Sequence, residues 1–273
     1  MKKRFAIVLA LMLTLCACSK NPEPAAPSQT SAPEAAPAPD SKTVYIRTSQ
    51  THTSDGSVTR TDYVLDEENQ VVEVQIFTND VQTTHYDVEC DENGNYIRWI
   101  GENMTILYDY DAQGNPLGKS VYSGETLISS TEYTWENGNQ TALLNRNGPQ
   151  EQRTVYLYNE AGQKVREEFY QNSVLVNYSH LTLGEDGRPV TQEVYLADGT
   201  LYSTISYGYE GTDCTATTTL TDGTAGGSTQ YRYDDHGNLI CTTTLDGEGN
   251  ILSETTETWQ AIEVPLDSPR ASI

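Results

Sequence analysis

YRYDDHGNLI, residues 231–240, sets two tyrosines two positions apart and follows them with two aspartates, a histidine and a Gly-Asn pair. Taken alone, Asp234, Asp235 and His236 offer metal ligands, or a base oriented by a carboxylate. The rest of the chain decides against both. Close copies stand at 108–117, YDYDAQGNPL, and at 156–165, YLYNEAGQKV, where the place of His236 is taken by Gln113 and Ala161. What recurs is an Asp or Asn entering the segment and a Gly at its fourth place. An Asx side chain there accepts hydrogen bonds from backbone N–H groups just ahead, and glycine supplies the positive φ that closes a tight turn. The stretch reads as a turn between strands.

Working outward, degraded copies fill the gaps: YVLDEENQVV from Tyr63, YDVECDENGNYI from Tyr86, YTWENGNQTAL from Tyr133, YSHLTLGEDGRPV from Tyr178 and YGYEGTDC from Tyr207. One turn series contains Gly94, Gly114, Gly138, Gly162, Gly187, Gly211 and Gly237. A second falls between its members, at Gly124, Asn147-Gly148, Asn172, Asp198-Gly199, Asp222-Gly223 and Gly249-Asn250. One turn arrives about every twelve residues, the spacing of consecutive antiparallel hairpins, and no helical periodicity of useful length follows residue 40. The expected fold is all-β: an elongated, twisted antiparallel β-meander of about eight tandem hairpin repeats with a period of about 24 residues, its sheet a single layer or partly curled. About sixteen short strands are expected over residues 43–262.

The pairs Tyr108/Tyr110, Tyr133/Trp135, Tyr156/Tyr158, Tyr207/Tyr209 and Tyr231/Tyr233 each stand two apart and so share one face of a strand. Stacked repeats would align them as an aromatic ladder, joined by Leu117, Val165, Val190 and Leu239. These ten aromatics are the candidate ligand-binding residues, as a platform for sugar rings or an extended peptide; the alternative is that they form the sheet's own core. The chain has 18 Tyr against 3 Phe, which suits a thinly covered face where the ring packs and the hydroxyl reaches water.

The string Y-x-Y-D-x-x-G-N-x-[LI] resembles the YD repeat of bacterial Rhs and teneurin-like cell-surface proteins, through Tyr231, Tyr233, Asp234, Gly237, Asn238 and Ile240 and through Tyr108, Tyr110, Asp111, Gly114, Asn115 and Leu117. The resemblance implies β-hairpin sheets, which in that family spiral into a shell around a toxin cargo. This chain has too few repeats to be expected to close such a shell, and no toxin domain is expected after Trp259. A looser similarity links it to the hairpin repeats of choline-binding and glucan-binding wall proteins.

The N-terminus, MKKRFAIVLALMLTLCACSK, has a basic start, an apolar run from Phe5 to Leu15 too short to span a bilayer, and then small residues. It reads as a signal peptide over residues 1–17. Leu15-Cys16-Ala17-Cys18 resembles the lipobox of bacterial lipoproteins, which makes Cys18 the expected lipidation site. Residues 18–42 then form the anchor cysteine and a Pro/Ala-rich stalk that favours extended polyproline II at about 3 Å per residue. Residues 263–273 read as a flexible tail. The expected location is the outer face of the cell membrane, or the outer membrane of a bacterium that has two.

A formal charge of -23, more negative by three once Lys2, Lys3 and Arg4 are removed, repels phosphate backbones and anionic headgroups and disfavours nucleic acid as a partner. No dinucleotide fingerprint, P-loop, G-x-S-x-G elbow or H-E-x-x-H motif is present. No catalytic residue, cofactor or dedicated metal site is expected. Of the later cysteines, Cys214 and Cys241 lie about one repeat apart and could bridge. The expected function is a non-enzymatic interaction or scaffolding module anchored to the membrane through its lipid alone, with a carbohydrate- or cell-wall-binding module as the alternative. Its partner would be a wall glycan, a host glycan or a surface protein.

Overall fold

The Thr-, Tyr- and Val-rich segments between the turns all form strands, because β-branched and aromatic side chains pack well on a pleated surface. The computed structural model describes residues 41–266, and among them there is no helix. The strands are β1 (Ser41–Ser54), β2 (Ser57–Leu65), β3 (Val71–Thr78), β4 (Val81–Cys90), β5 (Tyr96–Ile100), β6 (Met104–Tyr110), β7 (Pro116–Ser123), β8 (Thr126–Glu136) and β9 (Asn139–Asn147). They continue with β10 (Gln150–Tyr158), β11 (Lys164–Gln171), β12 (Val174–Leu183), β13 (Pro189–Leu196), β14 (Leu201–Glu210), β15 (Asp213–Leu220), β16 (Ala225–Tyr233), β17 (Leu239–Leu245) and β18 (Ile251–Pro265). Each pairs antiparallel with its neighbours in sequence, so the two turn series occupy opposite rims. The Gly94-to-Gly237 series shares its rim with both ends of the described chain, here called the terminal rim; the other series forms the far rim.

The sheet is not an open or partly curled layer. It is a closed 18-stranded barrel, sealed where β1 runs antiparallel to β18 from Ser41↔Pro265 to Ser54↔Ser253. Nine hairpins complete the ring, against the expected eight or so, and the strands extend past both expected boundaries, to Ser41 and to Pro265. The physical reason lies in the bulges. Only the pairings β1–β2, β5–β6, β9–β10 and β14–β15 keep an unbroken register. Every other pairing carries a shift near a hairpin turn or, at the seam, between Arg47 and Ser49. An extra residue on one strand bends it and increases local twist, and repeated around a meander this rolls the sheet until its edges meet. Closure also removes the two open edges that would otherwise invite association.

The bulges overturn one detail of the expected inner face. Leu117 and Val190 are themselves bulge residues, skipped by the pairings Asp109↔Gly118 and Thr182↔Thr191, and they stand 42% and 45% exposed.

Alternation then sorts the wall into two faces. The inner face buries Val74, Tyr86, Ile106, Leu143, Tyr156, Val194 and Ile205. At the terminal rim β1 and β18 run beyond their other neighbours as a two-stranded ribbon. Its Val44, Ile46, Ile262 and Val264 are buried in one cluster with Val71, Val74, Tyr86, Val88 and Ile106. A smaller cluster of Val194, Ile205 and Ala216 lies under β13–β15. There the inner face also carries a buried polar line: Gln192 Nε2 donates to Ser179 Oγ (2.8 Å), and the Tyr207 hydroxyl donates to Gln192 Oε1 (2.7 Å). Buried polar atoms are tolerated there because each finds a partner.

Candidate functional site

The stretch 231–240 is a turn at the terminal rim. Asp234 Oδ1 accepts the backbone N–H groups of His236 (2.9 Å) and Asn238 (2.8 Å), and its Oδ2 accepts Asn238 Nδ2 (2.8 Å). Asp91, Asp111 and Asp246 repeat this three-bond arrangement with Asn95, Asn115 and Asn250. Asn159 achieves the same with Gln163. Gly237 sits at φ 83°, in the region L-residues rarely adopt. His236 is exposed and stacks on Tyr45 of the terminal ribbon, with centroids 4.8 Å apart. Among the described residues no group of three or more His, Cys, Asp or Glu is placed to hold a metal ion.

This turn chemistry makes stability pH-dependent. The side-chain bond from Asn115, with backbone N–H bonds, holds the Asp111 carboxyl below its ordinary 3.8, and Asn250 does the same for Asp246. A carboxyl whose pKa is lower in the folded than in the unfolded chain contributes stability that is present above the unfolded value and lost as pH falls through the folded one. The melting temperature should therefore hold from pH 7 down to about 5 and fall below about 4. The double variant Asp111→Asn/Asp246→Asn should start lower at pH 7 and lose less across the acid limb. Thermal melts over that range check both, and an unchanged acid limb in the variant would refute the assignment.

The ten ladder aromatics Tyr108, Tyr110, Tyr133, Trp135, Tyr156, Tyr158, Tyr207, Tyr209, Tyr231 and Tyr233 all lie on the inward-facing register; Tyr156 is 5% exposed and the others are half-buried. Tyr108 packs with two rings outside the ladder pairs, Tyr96 (6.1 Å) and Trp99 (5.8 Å), and Trp99 packs in turn on Tyr86. Burial, reinforced by neighbouring tyrosines, pushes the Tyr96 and Tyr108 hydroxyls well above their usual range. Burial and then the Asp91 charge push Tyr110 up to about 12. These groups are neutral donors at any physiological pH.

The second aromatic of three pairs, and Trp259 of β18, share a definite task. Trp135 Nε1 donates to the Pro116 carbonyl (2.7 Å), the Tyr158 hydroxyl to Gln140 (2.6 Å), the Tyr209 hydroxyl to Pro189 (2.9 Å) and Trp259 Nε1 to Leu239 (2.8 Å). In each case the backbone ladder between the two strands has already ended, at Gly118↔Glu132, Val155↔Ala142, Thr191↔Ser206 and Cys241↔Thr256. Adjacent hairpins part at the terminal rim, and an aromatic N–H or O–H takes up a carbonyl the ladder no longer serves. These hydroxyls do not reach for water; they pin one hairpin to the next. Tyr233 shows a related closure, its backbone N–H donating to Asp213 Oδ1 (3.0 Å).

Cys90, Cys214 and Cys241 form no disulfide. Cys214 is paired in register with the inward Tyr231, while Cys241 lies opposite Arg232 on the other face and two strands away. That separation excludes the Cys214–Cys241 bridge. Cys18, the signal peptide, the Pro/Ala-rich stalk and the last residues of the tail lie outside the described residues.

The outer face is polar and charged at mid-strand. It carries Arg60–Asp62 (3.0 Å), His85 against Glu73 (3.3 Å) and Asp87 (3.5 Å), Arg98–Glu89 (3.5 Å), Arg146 between Glu132 and Glu151, and Arg166–Glu168 (2.8 Å). A membrane-spanning barrel instead turns an apolar band outward, and each lipid-facing Arg or Lys at the midplane costs about 2–4 kcal/mol. Here the outward mid-strand positions are charged, while the inner face mixes buried aliphatic and aromatic side chains with polar ones, among them the ion pairs Arg47–Glu257 (3.3 Å) and Lys164–Glu167 (2.5 Å).

One aromatic group does stand on the outer face, and the two-apart pattern missed it because its members sit on different strands. Tyr178 and Tyr195 are direct cross-strand partners with rings stacked at 5.2 Å and 10°. The Arg166 guanidinium lies 4.3 Å over the Tyr178 ring, and His180 packs edge-on against both tyrosines.

No family model matches the chain, and no curated protein sequence matches it. Among solved structures it is similar to a porin-like protein from Bacteroides vulgatus, with TM-score 0.35 and 9% identity over 79% of this chain and 98% of that one. It is similar also to a porin-like protein from Bacteroides uniformis, with TM-score 0.30 and 11% identity over 82% and 99%. A TcdB2-TccC3-TEV structure aligns with TM-score 0.21 and 9% identity over 73% of this chain and 15% of that one. Likenesses this low leave what the chain does to its own residues.

Proposed function

We propose that this chain is a lipid-anchored surface protein of the YD-repeat type whose barrel serves as a non-enzymatic interaction module outside the cell. The observation that carries the reading is the charged outer face. A barrel with ion pairs at the middle of its outward strands is suited to water, so attachment to a membrane falls to a segment outside the wall. The sequence offers one at Leu15-Cys16-Ala17-Cys18, with a Pro/Ala-rich spacer between it and β1. A lipid-modified cysteine supplies the hydrophobic anchor that the barrel surface lacks. The recurring Asx-Gly turns, each closed by bonds within the turn, support the repeat-family reading and a structural role for the carboxylates. The aliphatic clusters and inward aromatics of the inner wall suit a rigid stand for its outer face.

Cys18→Ala tests the anchor. The variant should move from the membrane pellet to the soluble fraction while an unrelated lipoprotein of the same cells stays in the pellet. A variant that still sediments with membranes would show that the barrel or another segment holds it there.

A further inference from the structure

We infer that the outer wall over β12–β16 is a saccharide-binding face, with Tyr195 as its stacking wall and the small side chains of β14 and β15 as its floor. This rests on reading the barrel as an interaction module and names the module's ligand class. The column runs Arg166, Tyr178, Tyr195 across β11, β12 and β13, each member lying against the next. The guanidinium covers one face of Tyr178, and Tyr195 covers the other. The column ends at Tyr195, beside Leu201 and the bulged Tyr202 of β14 and diagonal to Thr204.

Directly opposite Tyr195 stands Leu201, with Tyr202 bulged out beside it, and the outward positions turn small only further along β14, toward the terminal rim. Register puts Thr204 opposite Glu193 and Ser206 opposite Thr191 in β14, with Thr217 opposite Ser206 and Thr219 opposite Thr204 in β15 and Ser228 opposite Thr217 in β16. Ser206, Gly208, Thr217 and Thr219 are exposed. A flat shelf of hydroxyls beside an aromatic wall fits a pyranose chain, whose ring presents C–H groups to an aromatic face and hydroxyls at its edges. The rim of the wall is built for those edges. Glu193 accepts from the Tyr195 hydroxyl (2.8 Å), Glu168 accepts from Tyr170 (2.7 Å) and from Arg166, and Arg166 also meets His180 (2.9 Å). Two carboxylates and one guanidinium thus stand along this rim, acceptors beside a donor, suiting a ligand whose hydroxyls both donate and accept.

Charge selects within that class. The patch sets one guanidinium, Arg166, against two carboxylates, Glu168 and Glu193, and the chain as a whole carries -23, so an anionic polymer is repelled and a neutral glycan is not. The aromatic wall also sets this face apart from β2–β4, where the outward positions are filled by ion pairs and by Arg60 lying over Phe77 at 4.4 Å.

Binding of chitohexaose, cellohexaose, mannohexaose and heparin to the purified full chain in mild detergent, followed by calorimetry, tests the inference. At least one neutral hexasaccharide should bind saturably. Tyr195→Ala and the shelf-blocking Thr217→Arg should each weaken it by about tenfold, while Tyr122→Ala, on the outer face of β7, should leave it unchanged. Circular dichroism confirms that each variant folds. No binding by any neutral oligosaccharide, tighter binding of heparin, or full affinity in Tyr195→Ala would each overturn the proposal. The anchor reading stands or falls separately, on the fractionation of Cys18→Ala.

Discussion

Ile46→Ala should lower the unfolding free energy by about 2–5 kcal/mol, the range for deleting a large aliphatic side chain from a packed core. Ile46 is fully buried, and so is its cluster partner Val74; both are 0% exposed. The point of choosing Ile46 is its address. In an open meander β1 would be a free edge and its side chains would have one neighbouring strand, so truncation would cost little. In the closed barrel β1 is flanked by β18 and β2, and the ribbon it forms with β18 buries Val44, Ile46, Ile262 and Val264 against β3, β4 and β6. Ile205→Ala, at 2% exposure in the second cluster, should fall in the same range. Val174→Ala and Ile251→Ala, at 66% and 64% exposure, should change stability by no more than about 0.5 kcal/mol. Chemical denaturation of the four variants measures this directly. An Ile46→Ala protein as stable as the parent would mean that the seam between β1 and β18 does not form in solution.

Much of this architecture was legible because it is local. An Asp or Asn, two arbitrary residues and a Gly state their own turn, and alternating Tyr, Thr and Val between turns state their own strand, so the two turn series were separable and fall on opposite rims. Closure was not legible, because the pairing of Tyr45 with Ala261 or Val44 with Ile262 joins opposite ends of the described chain and no local signal marks it. Nor were the bulges that make closure possible. The residue after Pro116 or Pro189 looks like any other apolar strand residue, yet Leu117 and Val190 are squeezed out of register and face solvent. The same limit explains the candidate site. A spacing of two identified aromatics that share a strand face, and those rings point inward. Tyr178 and Tyr195 share a face only through cross-strand register, which spacing within one strand cannot show.

The excess of tyrosine over phenylalanine has a physical cause that predicts the second large effect. Tyr158→Phe and Tyr209→Phe each delete one oxygen and leave the carbonyl of Gln140 or Pro189 without that donor, beyond the end of the backbone ladder. A hydrogen bond of this kind contributes about 0.5–1.5 kcal/mol net, and leaving its partner unsatisfied in a part-buried place costs about 1–3 kcal/mol. The two sites lie on β10 and β14, four strands apart at about 4.8 Å per strand, so their effects should add. The double variant should lose about 2–4 kcal/mol while keeping every ring in place. Tyr195→Phe, whose hydroxyl bonds only the exposed Glu193, should lose less than about 0.5 kcal/mol. Amide exchange locates the loss: in the double variant, protection should fall first at the terminal-rim ends of β9–β10 and β13–β14 and remain at the far rim. Uniform loss around the barrel, or none, would mean that the rings alone hold the hairpins together and that the hydroxyls are incidental.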